Sequence, residues 1–273
     1  MNHSLIRQQL SSLGYAKLTD FIDRDQYILP IWTSIHQLAR LISVRRSLDF
    51  SLNDFHGEEE TAAEILRLSL LDRAFLSDLY DASKQIPAFL RLASCREFEG
   101  LYTLLRETDL VGVGDRSYGV RYDLPNEDMF RSHWHQEFAS NPQSIDGLVL
   151  WIPLVAVTED MGSVVICEAS NREGFIPHQP LEKYAFKTGL YQTGIPDEES
   201  VIARYKQITP LSKPGDLLLM DFSTIHQSGY NRSNRLRVTM QVRYFNFKNP
   251  EAVANGWPSS PTDFFRYQIK SKK

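Results

Sequence analysis

Between Val111 and Phe247 the sequence repeats one pattern. Short runs rich in β-branched and aromatic residues, YGVRYDL, GLVLWIPLVAV, GSVVICEA, GDLLLMDF and RVTMQVRYFNF, are separated by clusters of Gly, Pro, Asn and Asp. Alternation with a period of two marks strands, and strands joined without intervening long helices pair as antiparallel neighbours. The spacing therefore predicts an antiparallel sandwich or barrel.

The residues before Val111 read differently. Ser4 to Leu13 has helical spacing, with Leu5, Leu10 and Leu13 on one side and Gly14 placed to stop it. The following YAKLTDFI alternates like a short strand. Residues 25–47 read as a helix whose start lies near Pro30. Thr61 to Tyr80, Gln85 to Leu92 and Glu99 to Leu105 follow as further helices. The organisation predicted is a single domain over 1–273, mostly helical over 1–110, with the β core at 111–247 and an extension at 248–273. Its basic end, KSKK, reads as a solvated tail.

Composition narrows the function classes. The net charge is −4, and Lys and Arg are scattered along the chain, which argues against nucleic acid or a membrane surface as the main partner. Two cysteines, Cys95 and Cys167, make neither a disulfide framework nor a Cys-rich zinc module and read as small buried thiols. No apolar run approaches the ~18 residues of a membrane span, and MNHSLIRQQLSSLGY has no signal pattern, so a cytoplasmic protein is expected. Oligomeric state is not legible.

The segment HWHQEF, His133 to Phe138, concentrates imidazole and carboxylate groups that are costly to bury unless something binds them. On an extended segment His133, His135 and Glu137 share one face, so geometry alone leaves the ligand pair open. A facial triad of two histidines and a carboxylate needs a second, distant histidine. His226, after KPGDLLLMDFSTI, is the best placed, because a tight Pro214-Gly215 turn and an apolar strand precede it. His3 is terminal, His36 lies on a helix, His56 in a polar loop and His178 in a Pro-flanked connection.

HWHQEF, GLVLWIPLVAVTEDMGSVVICEASNREG and KPGDLLLMDFSTIHQSGYNRSNRLRVTMQVRYFNF, taken in order, resemble the phytanoyl-CoA dioxygenase family of Fe(II)- and 2-oxoglutarate-dependent oxygenases. The resemblance covers roughly Val111 to Phe247. It implies a mainly β fold with α additions, a double-stranded β-helix or jelly-roll barrel with the N-terminal helices packed outside. It also implies that His135, Glu137 and His226 hold Fe(II), that His133 does not, and that O2 is a cosubstrate. Arg237, eleven residues after His226, and Ser228, two after it, match the family's 2-oxoglutarate anchors, and Trp151 matches a tryptophan lining that pocket. A guanidinium suits the far carboxylate of 2-oxoglutarate because it offers a bidentate, charge-assisted fork. Arg235 and Arg243 share the face of Arg237 by parity and compete with it; Arg235 reads as solvated in its polar turn, and a second pocket role for Arg243 is the minor alternative. Arg121 reads either as a contact to cosubstrate or substrate or as a structural ion pair.

Two departures stand out. The family's aspartate is Glu137 here, and the turn commonly read as Pro-Gly-Ser-His is Glu168-Ala169-Ser170-Asn171. A retained carboxylate points to hydroxylation of a small molecule with conversion of 2-oxoglutarate to succinate, and away from halogenation. The connection at 174–209, with Tyr184, Lys187, Tyr191 and Arg204, has the length of a lid, and its content hints at a polar or anionic substrate. Two rival classes remain: a jelly roll that binds a metal or ligand without chemistry, and a zinc hydrolase on the same ligands.

Overall fold

In the computed structural model, which describes residues 2–114, 119–187 and 192–259, several helix ends are set by residues the sequence supplies. Helix α1 (His3–Leu13) is capped by the Asn2 side chain, which accepts from the Leu5 N–H, and is closed by Gly14 at φ +82°. Strand β1 (Tyr15–Leu18) follows directly. One π-helical turn, Arg24–Ile28, leads into α2 (Leu29–Arg45), with Pro30 in its first turn. The helix expected from Thr61 to Tyr80 is two helices, α3 (Glu58–Leu71) and α4 (Arg73–Ser83). Asp72 breaks it: its backbone is extended, φ −142° and ψ 103°, and its carboxylate accepts from the Ala74 N–H. Periodicity carries across the break because both helices bury apolar faces in one core. Helices α5 (Pro87–Ala93) and α6 (Arg96–Arg106) complete the N-terminal part.

The strands then come in quick succession. They are β2 (Val111–Val113), β3 (Gly119–Asp123), β4 (Gly147–Pro153), β5 (Val164–Cys167), β6 (Gln179–Pro180) and β7 (Thr193–Gly194). A short helix α7 (Glu198–Ile202) precedes β8 (Gln207–Ile208), β9 (Leu217–Asp221), β10 (His226–Ser228) and β11 (Arg237–Asn246), and α8 (Pro250–Asn255) follows. The larger sheet has the order β1-β9-β4-β11-β2, with β3 also paired to β11; the smaller is β10-β5-β8. Every pairing among the described strands is antiparallel, as the strand pattern predicts.

Strand β11 sorts its residues between two environments. Tyr244 turns to the helices, where its hydroxyl donates to the Ala93 carbonyl at 3.1 Å and its ring lies 5.9 Å from that of Tyr102. Arg237 and Arg243 turn the other way, toward residues of the smaller sheet and its loops. The helices thus cover one face of the larger sheet and leave the opposite face for polar chemistry. No described helix is long and apolar enough to cross a membrane.

Trp32 of α2 locks helices to sheet. It is fully buried, and its indole N–H donates to the Leu154 carbonyl at 2.8 Å. Trp32→Ala should therefore lower the unfolding free energy by about 3–5 kcal/mol in urea titration. Trp32→Phe, which keeps most of the buried area and loses the hydrogen bond, should cost clearly less; equal losses would show that the cavity has no part in the effect.

Candidate metal centre

His135 and His226 are brought face to face by the backbone. Each N–H donates to the other's carbonyl, at 2.9 and 3.0 Å, an isolated antiparallel bridge between HWHQEF and the start of β10. His226 follows the apolar strand β9 but is not part of it. A turn at 222–225 carries the chain out of the larger sheet, and His226 opens β10 in the smaller one, opposite Ile166. The divergent turn Glu168–Asn171 supports this: the Ser170 hydroxyl accepts the Ile225 N–H at 2.8 Å and donates to the Cys167 carbonyl at 2.8 Å. After His135 the chain stops being extended, and Glu137 opens a 3-10 turn, Glu137–Ala139.

The result is a convergence of three ligand atoms, one each from His135, Glu137 and His226, all within 4.8 Å of one another. Both histidines use Nδ1 on a carbonyl, His135 on His133 at 2.7 Å and His226 on Thr224 at 2.9 Å. Nδ1–H donation fixes the tautomer and leaves Nε2 as a lone pair. The two Nε2 atoms lie 3.9 and 3.7 Å from Glu137 Oε2. Burial, then the neighbouring His226, keeps His135 neutral, with its proton affinity well below the usual imidazole range. Burial opposes the charge on Glu137, but the Arg243 guanidinium beside it prevails, and its carboxyl is held well below the usual range. Two imidazole nitrogens and an ionised carboxylate oxygen on one side of a small space are the donor set of a facial triad.

His133 takes no part. Its ring stacks on Tyr184 with centroids 3.6 Å apart, and its Nε2 lies 2.6 Å from the Thr193 carbonyl. Gln136 points away from the triad, bonding Gly174, Ser223 and Ile176. Sequence reasoning passed over His178, whose Nε2 accepts the Gln136 N–H at 3.4 Å and whose pKa is lowered to about 4 by burial and by His133. Asn141 was also missed, although a spacing of four after Glu137 is the one that closes a turn; its side-chain amide donates to Glu137 Oε1.

The arginines divide into two groups. Arg243 donates from Nε to Glu137 Oε1 at 3.1 Å. Arg237, 3 % exposed, grips Asp123 through Nε and Nη2 at 3.2 and 3.1 Å and donates from Nη1 to the Met161 and Gly229 carbonyls, both at 3.1 Å. Arg121 reaches the same carboxylate at 3.0 Å, and also Phe130 O and Ser132 Oγ. Arg121 is thus engaged in an ion pair, with Asp123 shared between two guanidiniums. Trp151 is buried on β4 opposite Gln241 of β11, and Ser228 lies two residues beyond His226 on β10. Arg235 sits in its turn, with Nη2 on Thr158 at 3.0 Å.

The polar residues of the 174–209 connection bind the protein itself. Lys187, 3 % exposed, donates to the carbonyls of Asp128, Met129 and Arg131 at 3.0, 3.4 and 2.8 Å. Tyr184 donates to Glu198 at 2.9 Å, and Arg204 pairs with Glu173 at 3.2 Å. Lys187 therefore ties the connection to the loop at 128–131, and Tyr184 and Arg204 tie it to itself; all three are engaged by the protein and are not aimed at an anionic substrate. Tyr191 and the KSKK tail lie outside the described residues.

Residues 125–239 match the model of the family described as phytanoyl-CoA dioxygenase (PhyH), a span that holds His135, Glu137, His226 and Arg237. That span is thus similar to a family of Fe(II)- and 2-oxoglutarate-dependent oxygenases. Its fold is similar to that of the epimerase SnoN of nogalamycin biosynthesis, solved with Fe3+, alpha ketoglutarate and nogalamycin RO, at 15 % identity over 89 % of this chain and 83 % of that one, TM-score 0.58. It is similar to EctD from S. alaskensis with 2-oxoglutarate and 5-hydroxyectoine, at 18 % identity over 89 % and 76 %, TM-score 0.56. The carbocyclase SnoK of nogalamycin biosynthesis gives 15 % identity over 89 % and 83 %, TM-score 0.56. Among curated proteins none matches the sequence.

Two expectations follow. His135→Ala or His226→Ala should abolish tight binding of a divalent metal in equilibrium dialysis, while His133→Ala should leave it largely intact; the reverse pattern would reassign the ligand. The second concerns Asp123, whose pKa is lowered to about 2, because Arg237 and Arg121 outweigh a burial that acts in the opposite direction. A carboxylate with a depressed folded pKa stabilises the protein above its unfolded pKa, and that contribution is lost as pH falls from about 4 to about 2. It amounts to about 2 kcal/mol. Asp123→Asn should be less stable than wild type at pH 7 in urea titration, with the gap narrowing through that window; a gap independent of pH would remove Asp123 as the cause.

Proposed function

We propose that this protein is an Fe(II)- and 2-oxoglutarate-dependent dioxygenase on a jelly-roll barrel, hydroxylating a small molecule while 2-oxoglutarate becomes succinate. The observation that carries the reading is the convergence of two Nε2 lone pairs and one ionised carboxylate oxygen within 4.8 Å. His135, Glu137 and His226 would hold the iron, and the iron with 2-oxoglutarate and O2 would supply the oxidising chemistry. The chain's own part is to place ligands, keep the site dry and orient substrate. Both imidazoles are already turned by their Nδ1 hydrogen bonds, so ligation needs no change of rotamer or tautomer.

Arg237 would anchor the far carboxylate of 2-oxoglutarate, with Ser228 and Trp151 beside it and Arg121 adding charge. Arg121 and Arg237 both pair with Asp123, which holds the two guanidiniums in register for an incoming carboxylate. The pinned 174–209 connection would form the wall that excludes water. Retention of Glu137 speaks for hydroxylation within a fold whose solved relatives include an epimerase and a carbocyclase.

The reading separates from a non-catalytic metal-binding jelly roll by its cosubstrate. Titrating metal-loaded protein with 2-oxoglutarate, anaerobically, should give saturable binding in the wild type. Arg237→Lys keeps the charge and loses the fork, and should weaken that binding by ~1–3 kcal/mol, Arg237→Ala by more, with metal affinity nearly unchanged. Arg235→Ala should match wild type. Undiminished affinity in both Arg237 variants would sink the cosubstrate assignment.

A further inference from the structure

The two oxygens of the Glu137 carboxylate are not equivalent. Oε2 faces the histidines, at 3.7 Å from His226 Nε2 and 3.9 Å from His135 Nε2. Oε1 turns away and accepts two donors, Nε of Arg243 at 3.1 Å and the side-chain amide of Asn141. The same guanidinium reaches Oε2 only by a longer bond, from Nη2 at 3.4 Å, and that nitrogen makes its shorter bond to Gln241 Oε1 at 2.6 Å. A carboxylate oxygen has about two lone-pair directions, so two donors occupy those of Oε1.

We propose that Arg243 and Asn141 are positioning residues that make Glu137 a one-oxygen ligand, leaving Oε2 for the metal and withholding Oε1. The assignment rests on the metal-centre reading given above. It accounts for how this chain uses the longer residue: a glutamate side chain has one more rotatable bond than aspartate, and that freedom lets a carboxylate swing to chelate through both oxygens. Chelation would consume a position that a facial triad must leave open. Two clamps of different origin prevent it. Asn141 comes from the turn that Glu137 itself opens, whose N–H groups at Ser140 and Asn141 bond the Glu137 carbonyl at 2.9 and 3.0 Å. Arg243 comes from across the site, on β11, steadied by Gln241 two residues earlier on the same face.

The test counts the open positions directly, with Mn(II) as the probe and no turnover. Water-proton relaxation of Mn(II)-loaded protein reports the waters exchanging on the metal, about three for a triad with a one-oxygen carboxylate and about two if Glu137 chelates. Arg243→Lys combined with Asn141→Ala should lower the relaxivity per bound Mn(II) by about one third, while Mn(II) remains bound through the same three side chains. Each single variant keeps one clamp and should fall between the wild type and the double variant, which preserves the test if the double variant does not fold. Wild-type relaxivity in both single variants would overturn the assignment, whatever happens to thermal stability. Failure of the wild type itself to bind Mn(II), with His135→Ala no different, would overturn the metal-centre reading and this inference with it.

Discussion

An ionised carboxylate that is 2 % exposed has to be compensated, and much of the arrangement around Glu137 follows from that requirement. Its charge is met from two directions: the guanidinium of Arg243 and the amide of Asn141. The two come from different parts of the chain, so β11 and the turn after HWHQEF must both be in place before the group can be buried. The antiparallel bridge between His135 and His226 supplies the fixed point, since it sets the separation of the two imidazoles through backbone hydrogen bonds. Side-chain packing then only has to choose rotamers.

The same face of β11 carries a second buried charge cluster. Arg243 lies near the triad, and Arg237, six residues earlier, lies at the Asp123 cluster with Arg121. A strand that presents alternate residues to one side spaces them by whole repeats, so the two clusters are separated along the strand direction on one polar face. The opposite face, through Val238, Met240, Val242 and Tyr244, is buried in the main apolar core with the helices. One strand thus joins stability to chemistry, because the register that buries Tyr244 is the register that aims Arg237 and Arg243.

The 174–209 connection shows how polar content can mislead. Its lysine and tyrosine look like substrate contacts in the sequence, yet Lys187 is enclosed by three peptide carbonyls and Tyr184 carries His133 on its ring. His133 is the other imidazole of HWHQEF, and it fastens this segment. An ammonium group surrounded by carbonyls holds two loops together at low cost, since all three of its donors are satisfied without a counter-ion.

The strand pattern after Val111, the helical character before it and the convergence of His135, Glu137 and His226 were legible because each depends on local period or on motif spacing. The break at Asp72 was not, because apolar periodicity runs through it and only the capping carboxylate marks it. Nor was the placement of His226 on a separate strand, which a four-residue turn decides. The sequence by itself determined which residue types could hold a metal and that antiparallel strands would carry them. Only the tertiary structure decided that His133 turns to Tyr184, that Arg121 and Arg237 share Asp123, and that Arg243 and Asn141 meet Glu137. Those pairings join residues up to 114 positions apart, as in Arg237 with Asp123, and which side chains meet is set by strand register and by the burial of charge, neither of which local sequence encodes.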